Sequence, residues 1–168
     1  STRLIVLLRT MMKQGVIELG RKLVYRTAVF DLYEQDLRFQ RSGREVKFHS
    51  LQAADWVNVI ALTPSLEVVM IRQYRAGVDQ VVLEIPGGVI DPGEHDPAQA
   101  AVRELREETG YAGSEAEALG AVHFNPALLN NRAHSFLVKE AKSIGAQQLE
   151  ALEDIAVELV PLREVPDL

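Results

Sequence analysis

The stretch from Asp96 to Thr109 is the clearest helix in the sequence, and it restricts what the rest of the chain can form. Asp96 can cap the helix, Pro97 suits its first position, and Gly110 is a natural stop. The chain around it is predicted to be mainly strands, with a last helix beginning at about residue 161. One long helix among many strands predicts an α+β (mixed α/β) fold, in which helices cover a mixed sheet.

The strands are predicted from apolar runs and from alternation of apolar and polar residues. Residues 56–63 and 66–74 are two apolar runs joined by Pro64-Ser65, and they predict a β-hairpin. Ser42-Gly43 is predicted to be a turn. The remaining strands are expected within residues 22–35, 37–51, 81–86, 118–124, 133–140 and 155–162.

Three carboxylates, Glu104, Glu107 and Glu108, lie three and four residues apart on the predicted helix. Like charges at this spacing oppose helix formation by about 0.2–0.5 kcal/mol per pair. We expect them to point away from the apolar stripe. The predicted core-facing stripe consists of Ala98, Ala101, Val102, Leu105 and Thr109. A solvated acidic face is the simplest interpretation of the three glutamates, since most charged side chains lie at the surface.

A cation site is the alternative interpretation of the acidic helix. A glycine pair, Gly87-Gly88, and a further carboxylate, Glu94, precede the helix. Mg²⁺ and Mn²⁺ bind carboxylate and carbonyl oxygens, and glycine lets a backbone carbonyl approach a metal closely. The combination therefore favours a site for a divalent cation.

The segment from Gly88 to Tyr111 resembles the signature of the Nudix hydrolase family, G-x5-E-x7-R-E-U-x-E-E-x-G-U, in which U is a bulky apolar residue. The matching residues are Gly88, Glu94, Arg103, Glu104, Leu105, Glu107, Glu108, Gly110 and Tyr111. The sequence departs from the signature at one point, because eight residues rather than seven separate Glu94 from Arg103. The extra residue falls within His95–Pro97, before the helix, and the helical half "RELREETGY" is intact.

The resemblance extends beyond this segment to the ADP-ribose and nucleoside-diphosphate-sugar pyrophosphatases of the family. The stretches "DWVNVIAL", "VVMIRQYRAG" and "LEIPGGVIDPGE" are similar to those that precede the signature in that subgroup, and Pro126 follows Tyr111 by fifteen residues. The resemblance implies an α/β/α sandwich around a mixed sheet, with an N-terminal antiparallel strand extension. It divides the chain into residues 1–50, which form the extension, and residues 51–168, which form the hydrolase domain.

The resemblance also implies the ligands of a metal site. Glu104 and Glu108 would be the main Mg²⁺ ligands, and Glu107 would be a ligand or a close neighbour. The carbonyl of Gly87 would complete the set. Mn²⁺ is expected to substitute for Mg²⁺.

The other site residues follow from the same resemblance. Arg103 would hold the glutamates in position, while Glu94 and Arg75 would lie at the substrate, Arg75 on its phosphates. Glu153 and Glu150 are the candidates for the general base, and Glu153 is preferred because "EDI" precedes a strand as in the family. An exposed loop acid and an edge-strand arginine remain the alternatives for the base and for Arg75.

The expected reaction is hydrolysis of a nucleoside diphosphate sugar, such as ADP-ribose, to a nucleoside monophosphate and a sugar phosphate. The alternatives are a Nudix nucleoside-triphosphate or dinucleoside-polyphosphate pyrophosphohydrolase, and a non-catalytic Nudix-like nucleotide-binding regulator. Relatives commonly dimerise through N-terminal strands, so a homodimer formed by residues 20–50 is expected.

Charge and composition exclude several other functions. A net charge of −6 argues against a nucleic acid polymer as the partner, because phosphate backbones require a basic surface. The chain has no cysteine, and no apolar stretch reaches the 18 residues of a membrane span. The apolar run Leu4–Leu8 ends at Arg9 and is too short for a signal peptide. We therefore expect a cytoplasmic protein without membrane partners.

Overall fold

The computed structural model describes residues 12–13 and 15–167. The run Leu4–Leu8 lies outside the described residues, so the signal-peptide prediction is not addressed by the structure. The chain divides into two compact units. The first contains the described residues up to Ala54 together with His123–Asn131, and the second contains Asp55–Val122 and the chain from Arg132 onward. The predicted boundary between residues 50 and 51 stays a prediction.

The first unit contains a four-stranded antiparallel sheet in the order β1-β2-β3-β4. Gly43 has a φ of +69° in the turn between the last two strands, which confirms the turn predicted at Ser42-Gly43. A second turn, at Thr27, interrupts the run predicted at residues 22–35, because the hydroxyl of Thr27 accepts the N–H groups of Val29 and Phe30. The strands are β1 (Met12–Lys13), β2 (Val16–Arg26), β3 (Asp31–Phe39) and β4 (Glu45–Gln52).

The remaining strands form two larger sheets and one small one. Their orders are β10-β11-β5-β8, β13-β6-β7 and β12-β9. β5 and β11 run parallel, which makes the first of these sheets mixed. The strands are β5 (Trp56–Ala61), β6 (Glu67–Arg75), β7 (Gln80–Glu84), β8 (Gly87–Val89), β9 (Tyr111–Ala112), β10 (Glu117–His123), β11 (Arg132–Val138), β12 (Lys142–Ser143) and β13 (Ile155–Pro161).

The hairpin predicted from residues 56–63 and 66–74 is wrong. β5 pairs with β11 and β8, whereas β6 pairs with β7 and β13, and a single bridge from Leu62 to Val68 joins the two runs. The reason is burial, because β6 is buried on both faces: Val69 and Ile71 face one side, and Val68 and Met70 face the other. A strand of this kind needs covering layers on both sides, and it pairs with the following strand β7 and with the distant β13 rather than with β5.

The helix α1 (Pro97–Thr109) has the predicted limits. Asp96 Oδ1 accepts the N–H of Ala98 at 3.0 Å, and Gly110, with a φ of +72°, donates its N–H to the carbonyl of Arg106. Its core-facing side is different from the prediction, because Val102 is 40% exposed while Glu108 is 3% exposed. The expectation that all three carboxylates point away from the core is therefore wrong for Glu108.

In the second unit, helices lie on opposite faces of β6, and each packs against the strand through an apolar cluster. Val69 packs in a cluster with Leu105 and other residues of α1. Val68 and Met70 pack with Val160 and with Val165 of a 3-10 helix, Leu162–Asp167. This layering is an α+β arrangement, as predicted. Across the described part of the chain, no helix combines the length and the apolar composition that crossing a membrane requires.

Candidate active site

Two glycines bring β8 unusually close to its neighbours. A Cβ atom on Gly87 would lie 2.2 Å from the carbonyl oxygen of Val57 on β5. A Cβ atom on Gly88 would lie 2.4 Å from the carboxyl carbon of Glu104 on α1. Both contacts are far shorter than van der Waals distance. Gly87 requires glycine because the contact is with backbone, whereas a side chain at Gly88 would displace the carboxylate of Glu104. The glycine pair thus allows the carboxylates of α1 to reach the backbone of β8.

Two carboxylates of α1 are removed from solvent at this contact. Glu108 Oε2 accepts the backbone N–H of Gly87 at 2.9 Å, and the side chain of Glu104 is 12% exposed. Burial raises the pKa of Glu104 to about 7, although the adjacent Arg103 opposes this. Burial likewise raises the pKa of Glu108 to about 8, against the hydrogen bond from Gly87. The negative charge of Glu153 adds to both increases. Because burial is the main cause of both increases, ionised carboxylates at these two positions are unfavourable unless a further cation lies beside them.

Arg103 connects α1 to the loop that precedes it. Its Nε and Nη2 donate to the two carboxylate oxygens of Glu94 at 3.0 and 2.9 Å. Its Nη1 donates to Glu104 and Glu107 at 3.0 and 2.9 Å. The bond from Arg103, followed by the N–H of Asp91, holds the pKa of Glu94 below its ordinary value. The extra residue in the signature thus lies in the loop before the helix, and Glu94 still forms an ion pair with Arg103.

The opposite wall of the site is formed by β5 and β6. Arg75 donates its Nε to Glu84 at 2.7 Å, and its guanidinium lies 5.7 Å from the centre of the Trp56 ring. The indole N–H of Trp56 donates to Asn58 Oδ1 at 2.9 Å. Neither Nη group of Arg75 makes a hydrogen bond to another described residue. Both are therefore free to bind an anion.

The loop before β13 is attached to the C-terminal end of α1. Gln147 Nε2 donates to the carbonyl oxygens of Glu108, at 2.6 Å, and Ile155, at 3.0 Å. Further along the loop, the backbone N–H of Glu150 donates to Glu153 Oε2 at 2.8 Å. Glu153 is half-buried while Glu150 is exposed. The anchoring by Gln147 brings Glu153 close enough to influence the carboxylates of α1.

These elements enclose a cavity of about 260 Å³ in the second unit. It brings together every predicted site residue except Glu94, which lies behind Arg103. The cavity is lined by Trp56, Gln73, Arg75, Gly87, Gly88, Val89, Asp91, Arg103, Glu104, Glu107, Glu108, Glu150 and Glu153.

Four residues of this region had no role predicted from the sequence: Trp56, Gln73, Glu84 and Gln147. Alternation along β6 could have identified Gln73, because it must share a face with Arg75. A polar residue on that face of an otherwise apolar strand was the available signal. The contacts of Glu84 and Gln147 had no such signal, because they depend on strand pairing and on the path of a loop.

The donor set fits a hard divalent cation by its chemistry. Carboxylate oxygens are the ligands that Mg²⁺ and Mn²⁺ prefer, and here the buried carboxylates Glu104 and Glu108 lack full charge compensation. In the described part of the chain, no three His, Asp or Glu side chains are already arranged to hold a metal ion. Two of the candidates, Glu104 and Glu107, instead contact Arg103. These side chains must therefore turn toward an ion for it to bind.

The chain is similar to a known family and to several known proteins. The NUDIX domain family matches residues 30–168. The ADP-ribose pyrophosphatase of Bacillus subtilis (strain 168) is 30% identical over 142 residues, which are 84% of this chain and 75% of that protein. The methanol dehydrogenase activator of Bacillus methanolicus is 36% identical over 124 residues, 73% of this chain and 63% of that protein.

A solved structure, titled as that of an ADP compounds hydrolase, superimposes with a TM-score of 0.79. The alignment covers 93% of this chain and 83% of that one at 22% identity, so it identifies the fold. The family match includes α1, the glycine strand β8 and the loop that carries Glu153. The chain therefore belongs to the Nudix hydrolase family, with the α+β Nudix fold that its sequence predicted.

Proposed function

We propose that this chain is a Mg²⁺-dependent hydrolase that cleaves the diphosphate of ADP-ribose or of another nucleoside diphosphate sugar. The products are a nucleoside monophosphate and a sugar phosphate. The main support is a single cavity in which carboxylates with raised pKa values share the walls with Arg75. The similarity to an ADP-ribose pyrophosphatase supports the substrate class.

Glu104 and Glu108 are the proposed metal ligands, with Glu107 and the carbonyl of Gly87 completing the set. These residues would hold Mg²⁺, or Mn²⁺ in its place, and the ion would supply positive charge next to the diphosphate and favour deprotonation of the attacking water. Arg103 keeps Glu104 and Glu107 on one side of the cavity, at hydrogen-bond distances of 3.0 and 2.9 Å. Glu94, which lies behind Arg103, orients Arg103 and acts on the substrate site through it.

Arg75 is the proposed phosphate ligand. Its bond to Glu84 uses Nε, so both Nη groups can donate to phosphate oxygens. In the proposed reaction, the oxygen of a water molecule forms a bond to one phosphorus, and the bond from that phosphorus to the bridging oxygen breaks. The bridging oxygen leaves on the other phosphate, and the water loses a proton to a carboxylate.

Glu153 is the proposed general base, and Glu150 is the alternative. Glu153 is the more buried of the two, and its charge acts on both Glu104 and Glu108. Comparison of pH–rate profiles tests the assignment. Glu153→Gln should remove the ionisation of the base from the profile of kcat, and Glu150→Gln should retain it. The opposite pattern would assign the base to Glu150.

The function itself is tested by a substrate panel with and without Mg²⁺. ADP-ribose, several nucleotide sugars, dinucleoside polyphosphates and nucleoside triphosphates are compared by phosphate release after treatment with a phosphatase. Wild type and Glu108→Gln are measured together. We expect selective Mg²⁺-dependent turnover of the sugar-linked diphosphates, which is lost in the variant. Preferential turnover of triphosphates or dinucleoside polyphosphates would instead favour the corresponding Nudix activity.

A regulatory role is the second candidate, and the similarity to a methanol dehydrogenase activator is the observation in its favour. In that case the cavity would bind a nucleotide without hydrolysing it. Nucleotide binding without turnover of any substrate in the panel would support this alternative over the proposed reaction.

We also propose that the chain forms a homodimer through the antiparallel sheet of its first unit. This sheet exposes several large apolar side chains, among them Val24 at 47%, Tyr25 at 64% and Phe48 at 41%. Light scattering should give twice the mass of one chain, and a monomeric mass would contradict the proposal. The cytoplasmic location remains a prediction, supported by the absence of cysteine.

A further inference from the structure

Gln73 lies on the cavity-facing side of β6, in the middle of the three-stranded sheet. It pairs with Ile155 of β13 and with Val82 of β7. Because side chains alternate along a strand, Gln73 shares its face with Arg75, and both line the cavity. Gln73 therefore belongs to the wall that faces the glutamates of α1.

The two residues of the Arg75–Glu84 ion pair flank Gln73. Arg75 pairs with Gln80 and Ile71 pairs with Glu84, so the Gln73–Val82 pair lies between them on the same face. The side chains of Arg75 and Glu84, which bond at 2.7 Å, therefore lie on the same face as Gln73 and on either side of it along the sheet. The amide oxygen of Gln73 is buried between them and the rest of the cavity wall.

The amide oxygen of Gln73 has no hydrogen-bond partner among the described residues. Buried side-chain polar atoms are nearly always paired, so an unpaired one in a binding cavity calls for a partner that enters the cavity. An oxygen acceptor requires a donor. Phosphate oxygens of an ionised diphosphate have no proton to donate, whereas sugar hydroxyls do.

We propose that Gln73 is a substrate-binding residue whose amide oxygen accepts a hydrogen bond from a sugar hydroxyl next to the diphosphate. Arg75 binds the phosphate, and Gln73, its neighbour on the same strand face, binds the attached sugar. This inference rests on the proposed hydrolase function and adds a specificity element to it. It predicts that Gln73 makes the enzyme prefer sugar-linked diphosphates over diphosphates that lack the hydroxyl.

The test is a cycle in which one change is made in the protein and the other in the substrate. Gln73→Met keeps the length of the side chain and removes the acceptor. Wild type and variant are compared on ADP-ribose, on the β-methyl ester of ADP, which lacks the second sugar, and on ADP-ribose without the 2′ and 3′ hydroxyls of its adenosine. We expect Gln73→Met to lower kcat/KM for ADP-ribose by about 10- to 100-fold.

The result that supports the proposal is loss of this penalty, to within about twofold, with at least one of the two analogues. Equal penalties with all three substrates would overturn it, since they would mean that a water pairs with the amide and that the change only disturbs the wall. Tyr74→Phe is the matched control, because Tyr74 is the next residue on β6, lies on the opposite face and bonds Asp79. It should behave as wild type with every substrate.

Trp56 provides a second readout, because it is the only tryptophan in the chain and lines the same cavity. Its fluorescence should report binding of AMP in both wild type and Gln73→Met, which shows that the variant keeps a folded site. If wild type hydrolyses none of the three substrates, the proposed function fails. If wild type hydrolyses them and the penalties are equal, only the role of Gln73 fails.

Discussion

Carboxylates occur in two contrasting settings in this protein. On the antiparallel sheet of the first unit, Asp31 and Glu34 each have a cation beside them, Arg26 at 2.9 Å and Lys47 at 2.8 Å. The bond from Arg26 holds the pKa of Asp31 below its ordinary value, and the bond from Lys47 does the same for Glu34. The cations are exposed and the carboxylates are only half-buried, so each pair adds little to the free energy of folding.

In the cavity of the second unit the balance is reversed. Glu104 and Glu108 are buried, and their pKa values rise to about 7 and about 8. Removing a charge from water costs free energy unless an opposite charge compensates for it. A chain that retains uncompensated carboxylates in a cavity is therefore expected to bind a cation there. The contrast shows that burial and pairing, rather than the number of acidic residues, distinguish a site from a charged surface.

The largest effect is expected from Glu108→Gln. The neutral side chain keeps the size of the buried group and removes a proposed metal ligand, so activity should fall by about 100-fold or more. The free energy of unfolding without Mg²⁺ should not decrease near pH 7, because Glu108, with a pKa of about 8, is already mostly uncharged there, and glutamine keeps an oxygen that can accept the N–H of Gly87. Steady-state kinetics and urea denaturation measure both quantities. Glu45→Gln on the first-unit sheet is the control. Normal turnover by Glu108→Gln would show that Glu108 is not a metal ligand.

Gly88→Ala should have the next largest effect. The added methyl group would lie 2.4 Å from the carboxyl carbon of Glu104, so the carboxylate or β8 must move. A displacement of this size can lower activity by up to about 100-fold, and the overpacking costs about 1–3 kcal/mol of stability. Gly77→Ala is the matched control, since a Cβ atom there meets no atom within 4 Å. Equal behaviour of the two variants would show that the close approach of β8 to α1 is unimportant.

Arg103→Lys should have an intermediate effect. A lysine ammonium cannot hold both oxygens of Glu94 and also contact Glu104 and Glu107, as the guanidinium does. We expect activity to fall by about tenfold, which is typical when the partner of a metal ligand is lost. Arg106→Lys is the control on the same helix, because Arg106 makes no ion pair with any described residue. Activities that do not differ between the two variants would exclude an orienting role for Arg103.

Asp31→Asn should have the smallest effect, and its size depends on pH. The pKa of Asp31 is lowered in the folded protein, so its contribution to stability is present above the unfolded pKa. It is lost as pH falls through the folded pKa, because both states are then protonated. The urea midpoint of the variant should be slightly below that of wild type at pH 7 and equal to it at pH 2. A deficit that persists at pH 2 would mean that the ion pair with Arg26 is not its cause.

The distance along the chain over which an interaction acts explains which predictions succeeded. The limits of α1 were predictable because Asp96, Pro97 and Gly110 act through hydrogen bonds within a few residues of themselves. The family signature was readable for the same reason, since its spacing is local. The pairing of β5 was not predictable, because its parallel partner β11 lies more than 70 residues further along the chain. The sequence between them contains no local signal for that choice.

By itself, the sequence determined the helix, the α+β class, the family and the set of carboxylates that lie near the glycine pair. Only the tertiary structure decided that Glu108 turns into the core, that Arg75 lies against Trp56, and that the amide oxygen of Gln73 is buried without a partner among the described residues. The physical reason is the range of the interactions. Caps, turns and helical periodicity act over a few residues, whereas burial and charge compensation depend on strands and loops that meet only when the chain has folded.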